Sequence, residues 1–321
     1  MKKIILCSLA LSLFMGSCSS QKGSSKDYVS KYIGTINKEE LKKHLYIVAS
    51  DEMEGRNTGE PGQKKAGEYI ISEYKKMGIS YPKGADSFYQ KVPSEFMVRA
   101  FSPKLNDSEN IWAYIEGSEK PDEVLVISAH YDHVGMKNGE IYNGADDDGS
   151  GTVALLEIAQ AFMDAKKAGH GPKRSILFLH VTGEEHGLHG SRYYSEHPLF
   201  PLKNTIADIN IDMIGRRDPA HKDNGNYVYV IGSDRLSTDL HNINEEANKK
   251  YVNLLLDYKY NDRNDPEKIY YRSDHYNFAK PGDTPDKIEY DLLEKRARLA
   301  FATAWELANR PNRPVVDKNG E

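Results

Sequence analysis

"SILFLHVTGEEHGLHGS", residues 175–191, is an apolar run that breaks at a glycine and delivers two adjacent glutamates, Glu184 and Glu185. A short apolar run bounded by a turn signal reads as a strand buried in a sheet. Carboxylates desolvate badly, so a pair of them at the end of a buried strand calls for a basic side chain, a metal ion or a substrate.

Outward from that strand the chain alternates. Upstream, "NIWAYIEG" and "EVLVISA" read as strands, expected to pair antiparallel across the "SEKPD" turn. "GTVALLEIAQAFMDAKKAG" reads as a helix. Downstream come a short helix at "GSRYYSEHP", strands at "TIADINIDM" and "NYVYVIG", a helix at "STDLHNINEEANKKY" and a closing helix at "DLLEKRARLAFATAWELA". Two further helices precede the sheet: residues 37–49, with Leu41, Leu45 and Val48 at helical spacing, and "QKKAGEYIISEYKKMG", ending at Gly78. Residues 80–108 carry no clear pattern. Strands alternating with helices predict an α/β fold with a mostly parallel mixed sheet and helices on both faces.

Composition bounds the chemistry. The 321 residues are enough for one large domain. The formal net charge is −5 and the basic residues are scattered, which argues against a nucleic-acid surface. The opening "MKKIILCSLALSLFMGSC" has lysines, an apolar stretch and small residues before Cys18. That pattern predicts a lipoprotein-type signal peptide over residues 1–18, with Cys18 as the lipidated mature N-terminus and a flexible tether over 19–30. Residues 31–310 are expected to form a single domain with an N-terminal helical appendage, and 311–321 a polar tail. The only cysteines are Cys7 and Cys18, so the mature domain has no disulfide and no thiolate ligand. Any metal needs His, Asp and Glu.

In open α/β sheets ligands bind beyond the carboxyl ends of the strands. His130 and Asp132 follow "EVLVISA", Asp146, Asp147 and Asp148 lie in "GADDDGSG", and Asp212 closes "IADINIDM". "RSDHYNF" adds Asp274 and His275. Each is ambiguous alone: H-x-D pairs are commonly structural, and "DDDGSG" also suits a helix cap. Their recurrence at successive strand ends points to a metal centre. Two divalent ions need a bridging carboxylate, with imidazoles and carboxylates shared around them. With histidines and no sulfur, zinc is the expected metal.

"SAHYDHVG", "NGADDDGSG", "VTGEEHGLHGS", "INIDMIGR" and "RSDHYNF", in that order, resemble the motifs of the family-28 metallopeptidases, the di-zinc aminopeptidases. "LYIVASDEMEGRNTGEPG" and "PGDTPDKIEYD" resemble further segments of bacterial members. The resemblance implies a three-layer sandwich and hydrolysis of N-terminal residues from peptides with two zinc ions. It implies that His130 and Asp212 hold one zinc, Glu185 and His275 the other, and that Asp147 bridges them. Asp132 would orient the His130 ring, and Glu184 would be general base and then proton donor to the leaving amine. Asp146 and Asp148 are expected to shape the loop or cap the helix. His133, His186 and His189 are expected in supporting or exposed places, Asp274 beside His275, and Tyr270 and Tyr271 near the substrate.

One departure stands out. "RSDHYNFAK" runs directly into "PGDTP", with Lys280 meeting Pro281, where family members carry another strand and loop. The sheet is therefore expected to lack one late strand, to the cost of the second zinc site, unless a segment such as "VNLLLDY" repairs it. The competing expectations are a one-zinc glutaminyl cyclase of the same fold and a non-catalytic binding relative. A carboxypeptidase specificity is also open. The expected partners are peptides, no nucleic acid, and a membrane only through the lipid anchor, with a monomer as the assembly.

Overall fold

A computed structural model describes residues 27–98, 104–268 and 283–318. The expected signal segment, Cys18, Tyr270, Tyr271, Asp274, His275 and the Lys280–Pro281 junction lie outside the described residues.

Three helices open the chain: α1 (Tyr28–Ile33), α2 (Lys38–Val48) and α3 (Pro61–Met77). α2 starts where Asn37 caps the Glu40 amide. α3 starts with Pro61 in its first turn and stops at Gly78, whose φ of 80° ends the helix without the steric penalty of a Cβ. β1 (Tyr89–Val92) follows, then β2 (Ser108–Ile115) and β3 (Lys120–His130). A small hairpin of β4 (Met136–Lys137) and β5 (Glu140–Ile141) leads to the aspartate loop and α4 (Gly151–Lys167). Then come β6 (Arg174–Val181), α5 (His189–Glu196), β7 (Thr205–Asn210), β8 (Tyr227–Tyr229), α6 (Thr238–Ala247), β9 (Leu255–Asp257) and α7 (Tyr290–Asn309).

The main sheet has the order β1-β2-β6-β3-β7. β3 runs parallel to β6 and β7, while β2 is antiparallel to both β6 and β1. The expected β2–β3 hairpin is therefore wrong. β6 inserts between them, and every one of its residues is buried. A strand so apolar loses most if left at an edge, and the central place covers both its faces.

Period-two alternation sorts the side chains onto two faces. Leu125, Ile127, Ala129, Ile176 and Phe178 pack in one large core with residues of α1 to α4 and α7. Val124, Val126, Leu177 and Leu179 pack on the other face with Trp112 and with Tyr194 of α5. Helices thus cover a mostly parallel mixed sheet on both faces, as the alternation predicts.

Among the described residues β7 is the last strand of this sheet, and β8 pairs instead with β9 in a separate parallel pair. β9 comes from the "VNLLLDY" segment, which extends β8 and does not join the main sheet.

Candidate metal centre

His130 is the last residue of β3 and is 3% exposed. Its Nδ1 lies 3.1 Å from the carbonyl oxygen of Asp132. A carbonyl only accepts, so Nδ1 carries the proton and Nε2 keeps its lone pair in the neutral ring. Nε2 faces carboxylates: 3.1 Å from Asp147 Oδ1, 3.7 Å from Asp212 Oδ1 and 3.9 Å from Glu184 Oε2. Nε2 has no hydrogen-bond partner there.

The expected role of Asp132 needs restating. Its carboxylate is 3.8 Å from His130 Nδ1, beyond hydrogen-bond reach. The backbone carbonyl of Asp132 fixes the ring instead. The Asp132 carboxylate accepts from Thr58 Oγ1 at 2.8 Å and from the Glu184 amide at 3.2 Å, so it ties the β3 exit to the glutamate turn. Burial opposes its ionisation, but His130, Thr58 and the Glu184 amide hold its pKa below the ordinary value.

The glutamate turn folds back on β6. The Gly190 amide donates to the Thr182 carbonyl at 2.7 Å, and a Cβ on Gly190 would meet that backbone at 2.4 Å. Asn110 locks the same turn from β2, accepting from the Thr182 amide and donating to the Gly190 carbonyl. Glu184 is 2% exposed, and the Glu185 side chain is 4% exposed.

The aspartate loop is held from three sides. Asp146 accepts from the Gly215 amide at 2.6 Å, and Asp283 accepts from the Asp146 amide at 2.8 Å. Burial and then Asp283 push the Asp146 carboxyl up to about 7. Asp148 Oδ1 accepts from the amides of Gly151 and Met213, so Asp148 caps α4 as expected. Its other oxygen is buried without a hydrogen-bond partner.

Among the described residues the donors fall into two groups: His130, Asp148 and Asp212 in one, and His133, Asp147 and Glu185 in the other. The donor atoms within each group lie within 4.8 Å of one another. Asp147 belongs to the second group and contacts His130 of the first. The structure thus brings together His130, Asp147, Glu184, Glu185 and Asp212 at the carboxyl ends of β3, β6 and β7.

The electrostatics call for added positive charge. Burial disfavours a charged His130, yet Glu184, Asp132, Asp147 and Asp212 hold its pKa well above the ordinary value. Burial and then Asp212 push Asp148 well up, and burial and then Asp147 push Glu185 up. Crowded buried carboxylates beside imidazole lone pairs suit a divalent cation of the zinc type.

Two supporting residues were not singled out in the sequence. Arg56 is fully buried and donates to the carbonyls of Tyr131, Val48, Asn143 and Gly144. Asp283 reaches the loop from the "PGDTP" segment. His133 is 1% exposed and inside the cluster, not outside it. The available signal for Arg56 was its place in a segment resembling the family, "EGRNTG". His189 is buried, and His186 is half-buried with Nε2 3.0 Å from Asn57 Oδ1.

The sequence model of peptidase family M28 matches residues 110–303. A probable zinc metalloprotease of Pyrenophora teres f. teres is 31% identical over 173 residues, which are 50% of this chain and 32% of the relative. The chain thus spans about a third of that relative's length. Among solved structures, the LapA aminopeptidase of Legionella pneumophila superposes with a TM-score of 0.64 at 20% identity, over 90% of this chain and 76% of the other. The glutaminyl cyclase of Porphyromonas gingivalis superposes with a TM-score of 0.60 at 16% identity, over 84% and 97%. At these identities the structural likeness speaks to the fold.

Proposed function

The chain belongs to peptidase family M28, and from that premise we propose that it is a two-zinc aminopeptidase removing N-terminal residues from peptides. The observation that carries the proposal is the place of Asp147, in one donor group and 3.1 Å from the histidine of the other. A carboxylate so placed suits the bridge between two ions.

His130 and Asp212 would hold one zinc, and Glu185, with His275 by resemblance, the other. Zinc bound there supplies polarisation of the scissile carbonyl, a more acidic water and an anchor for the substrate's α-amine. Glu184 takes the proton of the attacking water and passes it to the leaving amine. Its backbone is tethered to Asp132, whose own carbonyl sets the His130 tautomer. One aspartate therefore registers the base against a ligand.

The second reading is glutaminyl cyclisation, which the fold also accommodates. Two donor groups favour the peptidase, because the cyclase needs one zinc. Zinc content of the purified protein, with a panel of aminoacyl p-nitroanilides and a glutaminyl peptide, separates the two. Glu184→Gln should keep both ions and lose turnover by ~10²–10⁴. A single zinc with cyclisation and no release of nitroaniline would overturn the proposal.

The N-terminal "MKKIILCSLALSLFMGSC" supports export and lipid anchoring through Cys18. No helix among the described residues is long and apolar enough to cross a membrane. Cys18→Ser should release the protein from membranes, and its retention would refute the anchor.

A further inference from the structure

We infer that Gln63 is a positioning residue for Glu184: from the first turn of α3 it sets the register of the glutamate turn through Thr182. The inference rests on the peptidase reading above, in which Glu184 is the base, and adds what holds that base in place.

Gln63 is fully buried, and its side-chain amide is bonded at both ends. Oε1 accepts from the Gly59 amide at 2.6 Å and from the Ser108 hydroxyl at 2.7 Å. A backbone amide can only donate, which fixes the flip of the Gln63 side chain. Nε2 therefore faces Thr182 and donates to its hydroxyl at 2.7 Å. Thr182 Oγ1 lies 2.6 Å from Ser108 Oγ. The Ser108 proton is committed to Gln63, so the Thr182 proton goes to Ser108. Three buried side chains thus close a ring in which each donates to the next, and such a ring polarises its own bonds. Helix capping explains only the Gly59 bond, which resembles the backward reach of a glutamine at the third helical position. It leaves the other end of the amide unexplained, and that end is spent on the residue two before the base.

The ring belongs to one of two rungs between the same two turns. In the first rung Thr58 donates to the Asp132 carboxylate at 2.8 Å, and that carboxylate accepts from the Glu184 amide at 3.2 Å. In the second, the Gly59 amide donates to Gln63, and Gln63 donates to Thr182. Thr58 is bonded to Gly59, and Thr182 leads through Gly183 to Glu184. The two rungs and the two turns therefore form a closed circuit behind the base. Asn110 already holds the Thr182 backbone to β2. What Gln63 adds is the register of the glutamate turn against the 58–59 turn, which in turn orients Asp132.

The test compares kcat and KM on an aminoacyl p-nitroanilide, with zinc content and circular dichroism to check the metal centre and the fold. Gln63→Met, close in shape and without hydrogen bonds, should lower kcat by roughly 10–100-fold, the order of loss from a small misplacement of a catalytic group. KM and zinc content should hold, as for an interaction realised in the transition state. Thr182→Val breaks the ring from the other side and should match it, and Thr182→Ser should restore turnover. In a Glu184→Gln background Gln63→Met should lower the residual rate no further, because the group it acts through is gone; a general loss of structure lowers both backgrounds alike. Amide exchange of the chelated protein reads the same link without turnover: Gln63→Met should speed exchange across residues 182–190 and leave the centre of β6 unchanged. Equal losses in the two backgrounds, or unaltered exchange in the turn, overturn the assignment and leave the peptidase reading standing. No nitroaniline release by the wild type overturns that reading and the assignment with it.

Discussion

Arg56 Nη2 donates a 2.8 Å hydrogen bond to the carbonyl of Gly144, and so fastens the turn before α3 to the first residue of the aspartate loop. The same guanidinium holds Asn143 at 2.6 Å, Tyr131 at 2.9 Å and Val48 at 3.0 Å. Its charge is buried without a direct ion pair. Burial lowers its pKa, against which Asp148, Asp147 and Asp132 favour the charged form. Removing the fork leaves several buried carbonyls unpaired and the acidic cluster less compensated. Arg56→Ala should therefore cost at least about 1–3 kcal/mol of stability, the range for leaving one buried polar group unpaired. Arg56→Lys keeps the charge but loses the fork, so it should recover only part. Urea unfolding of the three proteins measures this, and a cost under 1 kcal/mol for the alanine variant would mean that the clamp is idle.

Asp147 and Asp148 are neighbours with different neighbourhoods. Asp147 sits between the donor groups, while Asp148 spends one oxygen on the Gly151 and Met213 amides. Asp147→Asn should lower zinc uptake at both positions. Asp148→Asn keeps a side-chain oxygen for the helix cap and should weaken one position at most. Zinc content after dialysis decides, and loss of both ions from the Asp148 variant would reverse the roles.

What the sequence made legible follows from periodicity and strand ends. β6 was readable because its apolar run stops at Gly183, and α3 because its stripe stops at Gly78. β1 was not, being four residues long with Lys91 exposed between buried neighbours. The β2–β3 pairing failed because a short turn looks like a hairpin, and only the sheet order reveals β6 between the two strands. His130, Glu184, Glu185, Asp147 and Asp212 were readable as polar residues at strand exits. Arg56 was not, because an arginine in a polar turn reads as solvated until tertiary contacts bury it. The burial of His133 was not readable for the same reason, since it comes from the ladder with residues 55–57.

Metal removal should destabilise the fold. Ions bound only by the native state stabilise it by about 2.7 kcal/mol each when free metal is a hundred times Kd. Without them the buried carboxylates of Asp147, Asp148 and Glu185 face one another with too little compensation. Chelation should therefore lower Tm, and added zinc should restore it in proportion to the logarithm of its concentration. Scanning calorimetry provides the test, and a Tm indifferent to both treatments would mean that the centre takes no metal.

Acid sensitivity should come partly from a histidine far from the metal donors in function. His180 lies on β6, fully buried, with Nε2 2.8 Å from the Tyr74 hydroxyl and no hydrogen-bond partner on Nδ1. Burial pushes its pKa down from 6.5 to about 3. The neutral ring accepts from Tyr74, whose own pKa burial raises well above the ordinary value, so the hydroxyl keeps its proton. The sign follows from proton counts. Above pH 6.5 neither the folded nor the unfolded chain protonates this ring, so it adds no pH dependence. Between 6.5 and 3 the unfolded chain takes up a proton that the folded chain refuses, and stability falls as pH falls. One such proton corresponds to about 1.4 kcal/mol per pH unit. His180→Gln keeps an acceptor for Tyr74 and does not titrate, so its stability should fall less steeply in acid. The measurement is urea unfolding of chelated wild type and variant at intervals from pH 6 to pH 4. The stability difference between them should close by about 1.4 kcal/mol per pH unit, because every other carboxylate titrates alike in both. A difference that stays constant across that window would show that His180 carries no part of the acid limb.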